Sequence, residues 1–316
     1  MIHAQSLADL KPDRPSLLTL GSFDGVHLGH QALIRNLVTA AHARNYDAAI
    51  VTFFPHPTIV LRGPRSALYL NTPAEKGALF AQLGADRLVT HPFNLEVSRL
   101  TASQFITQLQ AALDFREIWC GADFAFGHNR EGTVDWLRAN GQTVRVIDPV
   151  IAAGGVISSS RVRQALADGD ITLATVCLGR PFQLTGEVVK GDGRGRTIGI
   201  PTANLKIWDE RAYPARGVYA GRAWAAGAPV EAVINIGVRP TFGGDLQTVI
   251  EAHLLDFSGD LYGQTLQLDF LARLRPEQKF NGVNELVAQI HRDIEAARNL
   301  LKSQIPAAVQ ASNFQP

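Results

Sequence analysis

The strongest constraint on the fold is a change of period half-way along the chain. In the first half, short apolar runs rich in β-branched residues recur at 17–20 (LLTL), 48–53 (AAIVTF), 87–90 (RLVT), 117–120 (EIWC) and 143–147 (TVRVI). Helix-like stretches separate them, near 30–44, 73–83, 101–113 and 131–140. Asn71–Thr72–Pro73 supplies a cap and a first-position proline for the second stretch. After Thr101, the residues Phe105, Ile106, Leu109 and Leu113 recur at helical spacing. Such strand–helix alternation predicts a parallel sheet covered by helices on both faces. From Gly179 the period becomes two, in TGEVVKG, GVYAGRAW, EAVINIGV, TVIEAHLLDF and QTLQLDFLARL. That pattern predicts an antiparallel sheet or small barrel. A last helix follows, with Val283, Leu286, Ile290, Ile294, Ala297 and Leu301 three or four apart. Two domains of different class are expected, 1–178 and 179–316, and 316 residues suffice for both.

Charge and cysteine content narrow the partners. Thirty basic and 29 acidic residues leave a net charge of +1, which gives nucleic acid or an anionic membrane little to hold. No apolar run approaches the ~20 residues of a membrane span. The opening MIHAQSLADLKPDRP lacks the basic head and apolar stretch of an export signal. Cys120 and Cys177 lie in apolar segments and read as buried free thiols of a reducing compartment. A cytoplasmic protein acting on small molecules is expected, without nucleic acid or membrane; weak self-association is left open.

Residues 21–30 read GSFDGVHLGH, directly after the first predicted strand. Glycines at 21, 25 and 29 let backbone amides approach an anion, and a helix starting near Gly29 would point its N-terminus at the same place. His27 and His30 are three apart, so both project to one side of that helix. There they can donate to phosphate oxygens as charge builds in phosphoryl transfer. A second string, Ile157–Ser158–Ser159–Ser160–Arg161–Val162–Arg163, adds hydroxyls and a guanidinium fork. Alone it reads more simply as a helix cap with solvated arginines.

The first string resembles the signature of nucleotidyltransferases that carry an H-x-G-H motif, and the second their I-S-S-T-x-x-R motif. The resemblance implies that Gly21, Ser22, Phe23, Asp24, Gly29, Ser158, Ser159, Ser160 and Arg161 bind a nucleotide, with His27 and His30 catalytic. Ser22 stands where that family usually has asparagine, and Ser160 where it has threonine. Asp24 reads better as a brace for the turn than as a metal ligand.

The second half carries GEVVKGDGRGRTIGIPTANL from Gly186. Gly191, Gly193, Gly195 and Gly199 make a loop with Arg194 and Arg196 available for anions, although a glycine-rich hairpin tip would look the same. Thr202 and Asn204 are two apart, so an extended segment presents both on one face. Their oxygens suit Mg²⁺, a hard cation that keeps waters beside substrate phosphates. Glu251 lies on an otherwise apolar strand, where it either pairs with an arginine or takes a proton from an attacking hydroxyl.

This half is similar to riboflavin kinase, through G-R-x-x-G-x-P-T-A-N, E-x-H-L-L-D-F-x-x-D-L-Y-G and R-P-E-x-K-F at 275–280. With both halves, the chain resembles the bifunctional bacterial riboflavin kinase/FAD synthetase family over roughly residues 15–300. GADFAFGHNREG (121–132) and FFPHP (53–57) extend the resemblance, while Ala122, Phe54 and Ile200 depart from the usual residues. It implies a Rossmann-like parallel-sheet nucleotidyltransferase domain followed by an antiparallel β-barrel kinase domain with a C-terminal helix. The implied activities are phosphorylation of riboflavin to FMN and adenylylation of FMN to FAD, each with ATP and Mg²⁺, the second releasing pyrophosphate. Glu251 would be the kinase base, Thr202 and Asn204 the metal ligands, Gly191, Gly193, Gly195, Arg196 and Gly199 the phosphate loop, and Asp123, Phe124 and Arg130 the flavin contacts. The rival of another class is a flavin-binding regulatory protein with an active kinase and an impaired adenylyltransferase half.

Overall fold

A computed structural model describes residues 1–63, 69–191, 193, 195, 198–225, 227–240 and 246–303. The chain divides into two compact units, Met1–Ser160 and Arg161–Pro316.

In the first unit, six strands form one parallel sheet. They are β1 (Ile2–Ala4), β2 (Ser16–Leu20), β3 (Asp47–Phe54), β4 (Arg87–Pro92), β5 (Phe115–Gly121) and β8 (Val144–Ile147), in the order β1-β4-β3-β2-β5-β8. Short antiparallel pairs interrupt the count, β6 (Ala125–Phe126) with β7 (Gly132–Thr133) and β9 (Ile151–Ala152) with β10 (Gly155–Val156). The five expected strands are present. The edge strand β1 was not legible in the sequence, because three residues carry no period; pairing with Arg87–Val89 of β4 makes it a strand.

Every residue of β2 is buried, as a parallel sheet covered on both faces requires. Leu17 packs with Ile34, Leu37 and Phe80, while Leu18 and Leu20 pack on the other face with Phe105, Leu109 and Leu137. Those helices are α1 (Leu28–His42) and α3 (Pro73–Gln82) on one side, α5 (Ala102–Leu113) and α6 (Val134–Ala139) on the other; α2 (Pro57–Arg62) and α4 (Leu95–Ser98) are short. The polar residues of β2 are satisfied: Ser16 Oγ donates to the Leu113 carbonyl and Thr19 Oγ1 to the Trp119 carbonyl, both at 2.8 Å. Thr72–Glu75 and Thr101–Gln104 close capping boxes on α3 and α5, so the start signals read from the sequence act as such.

From β2 the chain adds β3 and β4 on one side, then returns to add β5 and β8 on the other. The order therefore reverses between β2 and β5. A crevice at the carboxyl ends of those two strands is where ligands bind in open α/β sheets.

The second unit opens with α7 (Ser159–Asp168, from its third residue) and α8 (Ile171–Leu178). Its core is a closed barrel, β11-β12-β15-β14-β13-β16, with every pairing antiparallel. The strands are β11 (Phe182–Val189), β12 (Ala203–Lys206), β13 (Gly217–Ala225), β14 (Ala228–Pro240), β15 (Leu246–Leu254) and β16 (Thr265–Pro276). The last helix, α9 (Val283–Ser303), lays Ala297 and Ile294 on Val218, Ala220 and Val233 of the barrel. The boundary expected at 178/179 falls between α8 and β11, and α8 packs against β11 and β16.

Candidate functional site

The predicted GSFDGVHLGH segment leaves the carboxyl end of β2 and enters α1. Gly21 N–H still donates to Val51, after which the backbone turns sharply. Phe23, Gly25 and Val26 have φ of 47°, 82° and 40°. Two of these are side-chain-bearing residues in the left-handed region, each of which costs of order 1–3 kcal/mol unless surroundings enforce it. The enforcement is visible. Lys76 Nζ (2.8 Å) and Thr52 Oγ1 (3.1 Å) both donate to the Ser22 carbonyl. Asp24, only 1% exposed, accepts the Leu70 N–H on its carboxylate at 2.9 and 3.1 Å. Ser159 Oγ donates to the Asp24 carbonyl at 2.8 Å. The Asp24 carboxylate is thus directed into the protein, onto the Leu70 amide, where it braces the turn. Phe23 is likewise a buried support, edge-on to both His30 and Phe80.

His27 is the N-cap of α1, and its Nδ1 accepts the His30 N–H at 3.4 Å. One helix-terminal amide expected to be free for an anion is therefore taken by an imidazole. The two rings stack at 3.6 Å between centroids and 21° between planes, so both do share one side as predicted. His30 Nδ1 is buried and unpartnered among the described residues. Burial pushes the His30 pKa well below the usual imidazole value, and repulsion from His27 and Lys76 lowers it further. Burial also lowers Lys76, against the pull of Asp24. An anion arriving here would meet cation-capable groups that repel one another until it comes.

Gly29 is the second residue of α1. Ser159 and Ser160 begin α7, Ser158 precedes it, and Arg161 is its third residue. Asp123 and Phe124 follow β5, the strand beside β2. Phe124 stacks on Phe126 at 5.5 Å, whereas Asp123 and Arg130 are exposed; Arg130 Nη2 donates to the Asp123 carbonyl at 3.3 Å. Sequence reasoning missed Lys76 and Thr52. A lysine one turn before Phe80 on the buried face of α3 was the available signal.

In the second unit, a cavity of about 1090 Å³ gathers Gly191, Gly193, Gly195, Thr202, Asn204 and Glu251. Asn204 on β12, Glu251 on β15 and Asn235 on β14 are directly opposite one another across three neighbouring strands. Arg239 Nη2 lies 3.9 Å from Glu251 Oε1. A β carbon at Gly191 would collide with the side-chain amide of Asn204, so the glycine-rich segment approaches this row as only glycine can. Gly199 also borders the segment, with φ of 76°. Arg196 lies outside the described residues. Hydroxyl, amide and carboxylate oxygens in one cavity are the hard donors that Mg²⁺ accepts alongside phosphate, so the residues fit such an ion. Among the described residues no cluster of three His, Cys, Asp or Glu forms an all-protein metal cage.

Asn235 and Arg239 also line this cavity and were not singled out from sequence; Arg275, the first residue of the R-P-E-x-K-F string, lines it too. Arg275 forms a bidentate pair with Asp293 of α9, at 2.8–3.1 Å, and its guanidinium lies 5.7 Å from the Phe280 ring centre. The pair fastens α9 to β16 at the cavity wall.

The comparisons agree with this division. A family model for FAD synthetase matches residues 9–161, and one for riboflavin kinase matches residues 178–301. The bifunctional riboflavin kinase/FMN adenylyltransferase of Listeria monocytogenes is 36% identical over 301 residues, covering 94% of this chain and 96% of its own. The Escherichia coli K12 protein of that name is 38% identical over 312 residues, covering 97% and 98%. A solved structure described as a macrolide-efflux protein from Streptococcus pneumoniae superposes with a TM-score of 0.87 at 34% identity, covering 94% of this chain and 98% of its own. No helix among the described residues of this chain is long and apolar enough to cross a membrane.

Proposed function

The chain belongs to the bifunctional riboflavin kinase/FMN adenylyltransferase family, and we propose that its two units divide the two reactions by the groups described above. It phosphorylates riboflavin to FMN with ATP and adenylylates FMN to FAD with a second ATP, releasing pyrophosphate.

The observation that carries the assignment of adenylyl transfer is the stacked His27–His30 pair at the head of α1, beyond the strand where the sheet order reverses. An FMN phosphate oxygen attacks the α-phosphorus of ATP, the bond to the bridging oxygen breaks, and pyrophosphate leaves. No protein nucleophile is needed. His27 and His30 donate to the charge that develops at the α-phosphate, worth several kcal/mol in a dry site. Ser159 and Arg161 hold the departing phosphates, and Asp123, Phe124 and Arg130 border the flavin.

For the kinase, Glu251 accepts the proton of the riboflavin 5′-hydroxyl as its oxygen attacks the γ-phosphorus and ADP leaves. Gly191, Gly193, Gly195 and Gly199 cover the phosphates, with Arg196 assigned to the same loop. Thr202 and Asn204 would hold Mg²⁺, which when bound neutralises phosphate charge. The remaining work is positioning: cavity walls fix the hydroxyl against the phosphate. A cytoplasmic setting is supported by Cys120 and Cys177, which are buried free thiols; burial pushes the Cys120 pKa up to about 11.

Incubation of the purified chain with riboflavin, ATP and Mg²⁺, followed by separation of flavins, tests the whole reading. FMN should appear first and FAD after it. FMN accumulating without FAD would favour the regulatory alternative, for which nothing above argues.

A further inference from the structure

Lys76 is a buried cation with no carboxylate hydrogen-bonded to it among the described residues. Its side chain is 5% exposed, and among the described residues its ammonium makes one hydrogen bond, to the Ser22 carbonyl at 2.8 Å. Burying an ammonium whose one hydrogen bond is to a neutral carbonyl is costly, the attraction of nearby Asp24 offsets burial only in part, and an apolar residue would serve the α3 face that also buries Gly77 and Phe80 at lower cost. Something other than stability keeps a charge there. The carbonyl it holds belongs to the peptide between Ser22 and Phe23. Carbonyl and N–H of a trans peptide point in opposite directions, so fixing this oxygen toward Lys76 turns the Phe23 N–H away from it. That N–H has no acceptor among the described residues. It sits at the first left-handed residue of a turn that must be held against its own strain.

We propose that Lys76 is a positioning residue for adenylyl transfer: by gripping the Ser22 carbonyl it presents the Phe23 amide and the turn behind it to the phosphates of ATP. The inference rests on assigning adenylyl transfer to this turn. Were the Ser22 peptide to flip, a carbonyl dipole would face the polyphosphate and the cradle would repel what it is built to hold. Thr52 Oγ1 grips the same oxygen at 3.1 Å, so two donors from α3 and β3 share one task.

The test uses the full chain with FMN and ATP supplied directly, so that the kinase step is bypassed. Lys76→Met should raise KM for ATP and lower kcat, each by about tenfold or more, while KM for FMN stays within about twofold. Riboflavin phosphorylation by the same protein should be unchanged. Unchanged adenylyl-transfer constants with only a lowered melting temperature would overturn the proposal, as would parallel rises in KM for ATP and FMN. If Lys76→Met does not fold, the nearly isosteric Thr52→Val decides: a KM rise of about threefold for ATP alone supports the idea, and no change overturns it. Failure of the unmodified chain to convert FMN to FAD would instead sink the assignment of the reaction.

Discussion

His27 and His30 are coupled twice: their rings stack at 3.6 Å, and the Nδ1 of the first receives the backbone N–H of the second. The same residue therefore starts a helix and, in the proposed adenylyl transfer, donates to the α-phosphate, and the two roles can be separated by mutation. His30→Ala should lower FMN adenylylation by at least about a hundredfold, with riboflavin phosphorylation intact. His27→Asn keeps a capping oxygen, so stability should stay within about 0.5 kcal/mol while FAD formation falls; His27→Ala should lose both activity and about 1 kcal/mol. Flavin chromatography and denaturant unfolding of the three variants read out the difference. FAD formation at the normal rate in His27→Asn would leave the ring with only a capping role.

The depressed His30 pKa predicts an acid-side loss of stability. A histidine whose folded pKa lies below its unfolded value, about 6.5, binds its proton more readily when unfolded. Its penalty is absent above pH 6.5 and grows as pH falls from there to the folded pKa, by up to about 1.4 kcal/mol per pH unit. Melting temperatures between pH 7.5 and 5.5 should fall more steeply for the unmodified chain than for His30→Gln. Parallel slopes would mean that the imidazole titrates as if in water.

Glu251→Gln should reduce riboflavin phosphorylation by about 10²–10⁴-fold. The substitution keeps size and hydrogen bonding beside Asn204 and Asn235, so KM for riboflavin should move little. FAD synthesis from supplied FMN should be untouched, which a paired assay on one protein sample checks. A kinase rate within a few-fold of normal would remove Glu251 as the base.

In the Arg275–Asp293 pair the carboxylate is buried and the guanidinium largely so, at 6% and 14% side-chain exposure. Arg275→Met leaves the Asp293 carboxylate of α9 without its cation, with the Gln289 amide still donating to it, and should cost about 3–5 kcal/mol. Adding Asp293→Leu should recover most of that loss, because no unpaired charge remains. Chemical denaturation of the single and double variants tests the sign; a double variant no better than the single would locate the cost in lost packing.

Period and composition sufficed to foresee a parallel sheet followed by a barrel, because both are written locally. The alternation of Leu17 with Leu18 and Leu20 reports two buried faces, and Thr72 and Thr101 act within three residues of where they stand. The motif spacing at 21–30 and 202–204 also singled out most of the candidate groups. It gave no sign that Lys76 and Thr52 hold the Ser22 carbonyl or that β1 exists, since each depends on a partner far along the chain.

What the amino-acid order decided alone is therefore which segments form strands and helices and which residue types gather at the strand ends. What the folded chain decided is who meets whom: Lys76 and the Ser22 carbonyl come together across 54 positions, Asn204 and Glu251 across adjacent strands, Arg275 and Asp293 across a helix and a barrel. The reason is one of range. Backbone preference and apolar period act over a turn or two, whereas the orientation of a buried polar group is set by whichever donor or charge the tertiary packing brings within 3 Å.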